Sequence, residues 1–554
     1  MTALLTDNLP LLAGAPNGII KLRELILELA VRGKLVPQDP KDEPANELLK
    51  RIAEEKARLV AEGKIKKQKA LTERDDEAPA FELPAGWAWA RLSDVVNVLN
   101  GRAYKKEELL DAGTPVLRVG NLFTSNHWYY SNLTLEEDKY CNPGDLLFAW
   151  SASFGPFIWQ GERSIYHYHI WKLDFYAKDQ LSKHYLYNYL LEQTQEIKAA
   201  GHGVSMVHMT KEKMEKLVVP VPPLAEQDRI VAKVDQLMAL CDQLEAQQAD
   251  ADSAHTQLVQ ALLDSLTQAR DAGDFAQSWQ RLAEHFHTLF TTESCIDALK
   301  QTLLQLAVMG KLVPQNPSDE PASELLKRIA EEKARLVEEG ILRKQKSLPE
   351  VDETEKPYAL PFNWKWARFD SISNTRLGKM LDKAKNKGEL RPYLRNTNVQ
   401  WFNFVIDDLK SMRFEEHELD EYRVTPGDLV ICEGGEPGRC AVWQGDVEDM
   451  FIQKALHRAR PWLGISPFFL QFCLKAAAHS GFLDQFFTGA TIKHFSGEKL
   501  AKYPVPLPPL AEQHRIVAKV DQLMALCDQL KARLNQARQL HEHLANALVE
   551  QAVA

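Results

Sequence analysis

Two histidines one residue apart, His167 and His169 in the run HYHIW, share a face if the segment is extended, because side chains alternate along a strand. Such a pair could begin a metal site, but a third ligand at convincing spacing is missing. The run EGGEPGR at residues 433–439 is glycine-rich like a phosphate-cradling loop, yet it lacks the Lys-Ser/Thr end and reads as a turn. HEH at residues 541–543 lies in a helical run and is not an HExxH zinc helix. GxxxxGK[ST], an Asn/Asp-Pro-Pro-aromatic methyltransferase motif and a DEAD-like helicase box are all absent from the sequence. The chain therefore reads as one without an active site, cofactor or metal of its own.

What remains is binding chemistry, in loops of two variable stretches. In the first, Arg102, Lys105 and Lys106 of NGRAYKK suit phosphate contacts. Ser151 and Ser153 follow an apolar strand, and His202, Ser205 and His208 lie in a glycine loop. In the second, the basic run RLGKMLDKAKNKGELR supplies Arg376, Lys379, Lys383, Lys385 and Lys387. Glu433, Arg439, Thr491, Lys493 and His494 occupy its other two loops. Arginine can grip guanine and asparagine adenine through paired hydrogen bonds, which nominates Arg118, Asn121, Arg395, Asn396 and Asn398. Trp87, Trp89, Trp364 and Trp366 read as core aromatics. The net charge of −10 at first argues against nucleic acid, but residues 87–219 carry a balance of −1 and residues 364–505 a balance of +2. The acid excess, −11, sits elsewhere, so a basic face on either stretch is permitted.

The elements that must hold these loops are duplicated. PLAEQDRIVAKVDQLMALCDQL at residues 223–244 returns at 509–530, changed only at Asp228 versus His514. GKLVPQDPKDEPANELLKRIAEEKARLV at 33–60 returns, nearly unaltered, at 310–337. Ile230, Val234, Leu237, Cys241 and Leu244 step by four and three, as do Ile516, Val520, Leu523, Cys527 and Leu530, the seam of a coiled coil. A helix of about 60 Å with a single apolar stripe needs a partner, and the other copy is the expected one. The 33–60 repeat predicts a short apolar helix closed by Gly33 or Gly310, then a charged helix capped by Asn46 or Ser323, with Asp42 or Asp319 as alternatives. Between the repeats, matching landmarks recur in order: LPAGWAWARL and LPFNWKWARF, LRVGNL and LRNTNV, NPGDLL and TPGDLV, GVSMVHMT and GATIKHFS. Pro-Gly-Asp before apolar residues predicts a turn feeding a strand. The expected fold class is α+β: two α/β-mixed units separated by long antiparallel coiled-coil helices in a pseudo-two-fold cyclic repeat. The boundaries read as 1–80, 81–222, 223–350, 351–508 and 509–554. The seven cysteines show no disulfide-like spacing and no apolar run is long enough to span a membrane, so the expected compartment is cytoplasmic.

The duplicated PPLAEQxRIVxKVDxLM helix, alternating with two PGDL-type units, resembles the specificity subunit of type I restriction–modification systems, in the branch with a long shared N-terminal region. The resemblance covers nearly the whole chain. It implies that residues 81–222 and 351–508 are target recognition domains, each reading one half of an asymmetric bipartite site in double-stranded DNA. It implies that the helices set the spacing and dock two methyltransferase subunits, joined by restriction (motor and nuclease) subunits. The chain itself would be non-catalytic. S-adenosylmethionine, ATP and Mg would serve its partners in an adenine methyltransferase and ATP-dependent endonuclease. From a different class, a duplicated scaffold binding protein or glycan is also compatible with the balanced charge.

Overall fold

The computed structural model describes residues 9–66, 81–151, 154–200, 209–343, 348–382, 384–489 and 491–553. They divide into two units: residues 1–250 with 537–554, and residues 251–536.

In the first unit, α1 (Gly18–Val31) turns Leu22, Leu25, Ile26 and Leu29 inward and ends at Gly33, whose positive φ of 66° closes the helix. Then α2 (Ala45–Ala61) presents Leu48 and Ile52 to the interior and a charged face outward. Its amide end is not capped by Asn46, which lies inside the helix. Ala45 N donates instead to the Gly86 carbonyl at 2.8 Å, so the next segment serves as the cap. Asp42 does not cap either; it pairs with Arg229 at 2.6 Å.

The variable segment opens with β1 (Ala88–Arg91). The strands β2 (Val96–Asn100), β3 (Thr114–Leu117), β4 (Tyr129–Ser131), β5 (Tyr140–Cys141), β6 (Leu146–Ala149), β7 (Gly155–Ile158), β8 (Ser164–Tyr166) and β9 (Ile170–Phe175) follow, then α3 (Lys183–Ala200) and β10 (Val218–Val221). They form sheets of order β2-β9-β6-β7 and β4-β3-β8-β5, the β3–β8 pair parallel. β10 returns antiparallel to β1, Ala88 opposite Val221, so entry and exit share one two-stranded neck. As expected, Asn142-Pro143-Gly144-Asp145 is a turn into β6, with the Asp145 carboxylate accepting from Asn142 N at 2.8 Å.

The chain continues as α4 (Leu224–Thr267), which begins in the first unit and ends in the second. Its seam residues Ile230, Val234 and Cys241 are buried in the first unit's core with the apolar face of α1, and Arg23 of α1 reaches Asp242 and Glu245 at 2.5 and 2.8 Å.

The second unit repeats the plan. After α5 (Ala272–Ala283) come α6 (Glu293–Val308) and α7 (Ala322–Glu338), with Gly310 closing α6 at φ 72° and the Asn363 carbonyl capping α7 through Ala322 N at 3.0 Å. Ser323, like Asn46, is inside its helix, and Asp319 pairs with Arg515. The strands are β11 (Lys365–Arg368), β12 (Ser373–Leu377), β13 (Glu389–Leu394), β14 (Lys410–Phe414), β15 (Leu429–Cys432), β16 (Cys440–Val442), β17 (Phe451–Ile452), β18 (Leu456–Pro461) and β19 (Pro504–Leu507). The orders β12-β18-β15-β16, β14-β13-β17 and β11-β19 match those of the first unit strand for strand, apart from β5. α8 (Pro467–His479) takes the place of α3, and α9 (Leu510–Val553) closes the chain. The first part of α9 buries Ile516, Val520, Leu523 and Cys527 in the second unit's core; Ala545 and Ala552 near its end lie in the core of the first. Trp87 and Trp364 are buried, whereas Trp89 and Trp366 are half-buried against Phe81 and Tyr358. All seven cysteines are free and buried. Among the described residues no helix is long and apolar enough to cross a membrane.

Candidate nucleic-acid interface

Strand register decides which loops share an edge. In the first unit Asn100, Ala149 and Leu117 end β2, β6 and β3 beside the β8–β9 turn: Asn100 faces Trp171, Ala149 faces Ile170, and Leu117 faces Tyr166. The chain beyond those ends is therefore one rim. It gathers Arg102, Arg118 and Ser151 with Trp150, His167, Tyr168 and His169. In the second unit the same registers bring together the ends of β12, β13 and β15 and the β17–β18 turn, hence Lys379, Arg395, Asn396, Glu433, Gln453 and Lys454.

Both rims rest on one main-chain cradle. His167 N donates to Leu117 O at 2.9 Å, Ile170 N to His167 O at 2.9 Å, Tyr168 N to Arg102 O at 3.1 Å, and Trp150 N to His169 O at 3.1 Å. The counterparts are Gln453 N to Leu394 O at 3.3 Å, Leu456 N to Gln453 O at 2.9 Å, Lys454 N to Lys379 O at 2.9 Å, and Glu433 N to Ala455 O at 2.9 Å. Gly101 and Gly378 complete the cradle. A Cβ on Gly101 would stand 2.4 Å from His167 O, and one on Gly378 2.3 Å from Gln453 O, so neither position has room for a side chain.

The side chains nominated from sequence divide into distinct groups. Arg102 pairs with Glu108 at 2.7 Å; Lys105 and Lys106 stand exposed beside that pair. Arg118 lies over the Tyr129 ring, 5.3 Å from its centroid. Ser151 is half-buried on the rim. Asn121 closes a turn: it accepts from Arg118 N and donates to His127 O at 2.8 Å. Asn398 does the same work, accepting from Arg395 N at 2.9 Å and donating to Val405 O at 2.9 Å, and it is buried. Lys379 is also buried, its ammonium on Glu418 and the Arg413 carbonyl. A phosphate or base cannot reach groups spent in this way, so Lys379 and Asn398 leave the contact set and Asn121 is a turn former. Arg395 pairs with Asp408 at 2.9 Å and Arg376 with Glu421. Asn396 donates to Gly434 O at 3.3 Å, and Arg439 bonds both Glu436 and Asn396 O. Glu433 is half-buried, Phe495 N donates to its carbonyl at 2.7 Å, and His494 lies beside Gly434. Thr491 and Lys493 are exposed, Lys493 lying 3.5 Å from Asp484. Lys385 and Lys387 are exposed on the loop leading to the far end of β13. Ser153, His202, Ser205, His208 and Lys383 lie outside the described residues.

Trp150, Tyr168, Gln453 and Lys454, which residue type alone does not single out, also stand on the rims. The available signal was their position between aligned landmarks. Trp150 stacks on Trp171 and meets His169 edge-on, and Tyr168 packs against His167 and His169. Burial, with His169 and Arg118 nearby, holds the His167 imidazolium down at about 4. The His167 and His169 rings are 4.8 Å apart, yet among the described residues no group of three His, Cys, Asp or Glu is placed to hold a metal.

The duplicated motif is the joint under each rim-bearing unit. Gln227 donates to Pro222 O at 2.9 Å and accepts from Ser182 N, at the start of α3, at 2.7 Å; Gln513 does so with Pro508 O and Ser466 N at 3.0 and 2.9 Å. Gln38 donates to Glu226 at 3.2 Å, and Gln315 and Trp364 to Glu512 at 2.6 and 3.0 Å. Burial pushes both carboxyls above the ordinary range against these donors. The PLAEQ residues thus fasten helix, neck and variable unit together, which explains their near-identity.

A family model described as the type I restriction modification DNA specificity domain matches residues 84–251 and 361–538. The chain is 37% identical to the type I restriction enzyme EcoEI specificity subunit of Escherichia coli, over 97% of this chain and 94% of that one. It is 38% identical, with the same coverage, to the EcoAI specificity subunit of Escherichia coli. Among solved structures, a chain from one titled for complex assembly and conformational transition of the type I R-M system matches at TM-score 0.50 and 17% identity, covering 85% of this chain and 99% of that one.

Proposed function

This chain belongs to the specificity subunits of type I restriction–modification systems, and from that premise we propose that its two variable units, residues 81–222 and 351–508, each read one half of an asymmetric bipartite site in duplex DNA. The observation that carries this reading is the rim: one cradle built twice, bearing different side chains each time. Arg102, Lys105, Lys106, Arg118 and Ser151 of the first unit, and Arg376, Arg395, Asn396, Glu433, Arg439, Thr491, Lys493 and His494 of the second, supply phosphate and base contacts, with Lys385 and Lys387 adding charge. Paired arginines exchange a carboxylate for a phosphate on binding.

The helical regions 1–80, 223–350 and 509–554 hold the spacing between half-sites and dock two copies of a methyltransferase subunit. Near-identical joints suit two equivalent partners, and restriction subunits join that core in the cytoplasm. The partners supply adenine methylation, with the base extruded from the duplex, and ATP-dependent cleavage; S-adenosylmethionine, ATP and Mg belong to them. A scaffold for protein or glycan has no support once family membership is established.

The test is to replace residues 86–219 with the corresponding segment of another specificity subunit and sequence the methylated motifs of the resulting cells. One half-site should change while the other half-site and the spacer remain. A change in both half-sites, or in neither, would falsify the assignment.

A further inference from the structure

The two rims differ most where their backbones agree best. The β8–β9 turn carries His167, Tyr168 and His169; the equivalent β17–β18 turn carries Gln453, Lys454 and Ala455. The backbone amides of the first two residues of each turn are consumed by the cradle, which fixes the turn through its main chain; in the first unit the His167 ring adds to this by accepting from His169 N at 3.5 Å. In the second unit the nominated cations near the rim are engaged: Arg395 with Asp408, Arg439 with Glu436, and Lys379 with Glu418. The Gln453 amide and the exposed Lys454 ammonium have no hydrogen-bond or ion-pair partner among the described residues. In the first unit Tyr168 is 40% exposed on a platform of His167 and His169.

We propose that these turns are the base-reading elements of the two recognition units, with Gln453 holding the major-groove edge of an adenine and Lys454 an adjacent phosphate, while Tyr168 and His167 read the other half-site. The proposal rests on the DNA-recognition reading above and assigns it to residues. A glutamine amide matches the N6 donor and N7 acceptor of adenine, a pairing no other base edge offers in the major groove. Lysine on a projecting turn is a point charge for a phosphate. Because the main chain fixes the turn, a ligand meets a pre-set geometry and loses little of its binding energy to ordering the loop.

The experiment uses the full chain assembled with its methyltransferase subunits and a pool of duplexes randomised over both half-sites. Gln453→Ala should relax preference at one base pair of one half-site by roughly tenfold to a hundredfold. Lys454→Ala should weaken binding to all sequences and reduce the slope of log affinity against log salt by about one. Grafting His167→Gln, Tyr168→Lys and His169→Ala should rewrite only the opposite half-site, and the untouched half-site in each variant reports that the chain is folded. An unaltered motif in Gln453→Ala, or loss of both half-sites together, overturns the proposal. A wild-type complex that selects no bipartite sequence takes the underlying reading with it.

Discussion

At the scale of residues, the sequence reveals chemical type and the fold decides availability. Asn121 and Asn398 look like adenine readers, yet each amide is consumed by the turn after LR, a hydrogen-bond pattern that no spacing rule distinguishes from a free amide. Lys379 looks like a phosphate contact and is buried on Glu418, 39 residues away in sequence. Gln453 and Lys454 are unremarkable by type and acquire meaning only from register. Buried Glu512 accepts from both Trp364 and Gln315. Glu512→Ala leaves the buried Trp364 indole N–H unpaired, whereas the exposed Gln315 keeps the Gly310 carbonyl, and should destabilise the second unit by about 1–3 kcal/mol, as measured by urea denaturation. His167 titrates at about 4 in the fold against 6.5 when free. Between those values the unfolded chain holds more protons than the folded one, so stability rises with pH through that window and is complete above it. His167→Gln removes this dependence. Wild type should lose stability relative to the variant as pH falls from about 6.5 to 4, and parallel stability–pH curves would show that His167 is not so placed.

At the scale of elements, the seam of α4, the closure at Gly33 and Gly310 and the Pro-Gly-Asp turns were legible because each is local periodicity or local backbone geometry. The helix caps were not, because the capping carbonyls of Gly86 and Asn363 arrive from about 41 residues downstream. Nor does periodicity say which elements cover a stripe: Ile230, Val234 and Cys241 lie in a core with residues of α1 and with Ala545 and Ala552 of α9. Both α4 and α9 pass from one unit to the other. Insertion of four residues into each, near residues 250 and 536, adds one turn of about 6 Å. The methylated motif should then gain about two base pairs of spacer, at about 3.4 Å each, with both half-sites intact. An unchanged spacer would refute the helices' role in setting distance.

For the whole molecule, the duplication was readable in full and the cyclic order followed from it. The sequence could not show that each long helix ends in the core of the unit it did not start from. Residues 537–553 complete the first unit: Ala545 and Ala552 are buried there, His541 bonds the Leu11 carbonyl at 2.8 Å, and Lys21 reaches Asn546 at 2.8 Å. Ending the chain after Gln536 should therefore leave α1 open to limited proteolysis while the second unit resists; equal resistance of both units would contradict this. The same feature imposes an order on synthesis. The unit translated first cannot close until the 286 residues of the second have been made, a wait of roughly 15–60 s at a ribosome's usual pace. Throughout that interval the core that holds Leu22, Leu25 and Ile26 lacks Ala545 and Ala552, so the unit made first is completed last and the nascent chain is most open to misassembly or to chaperones while the second unit is already whole.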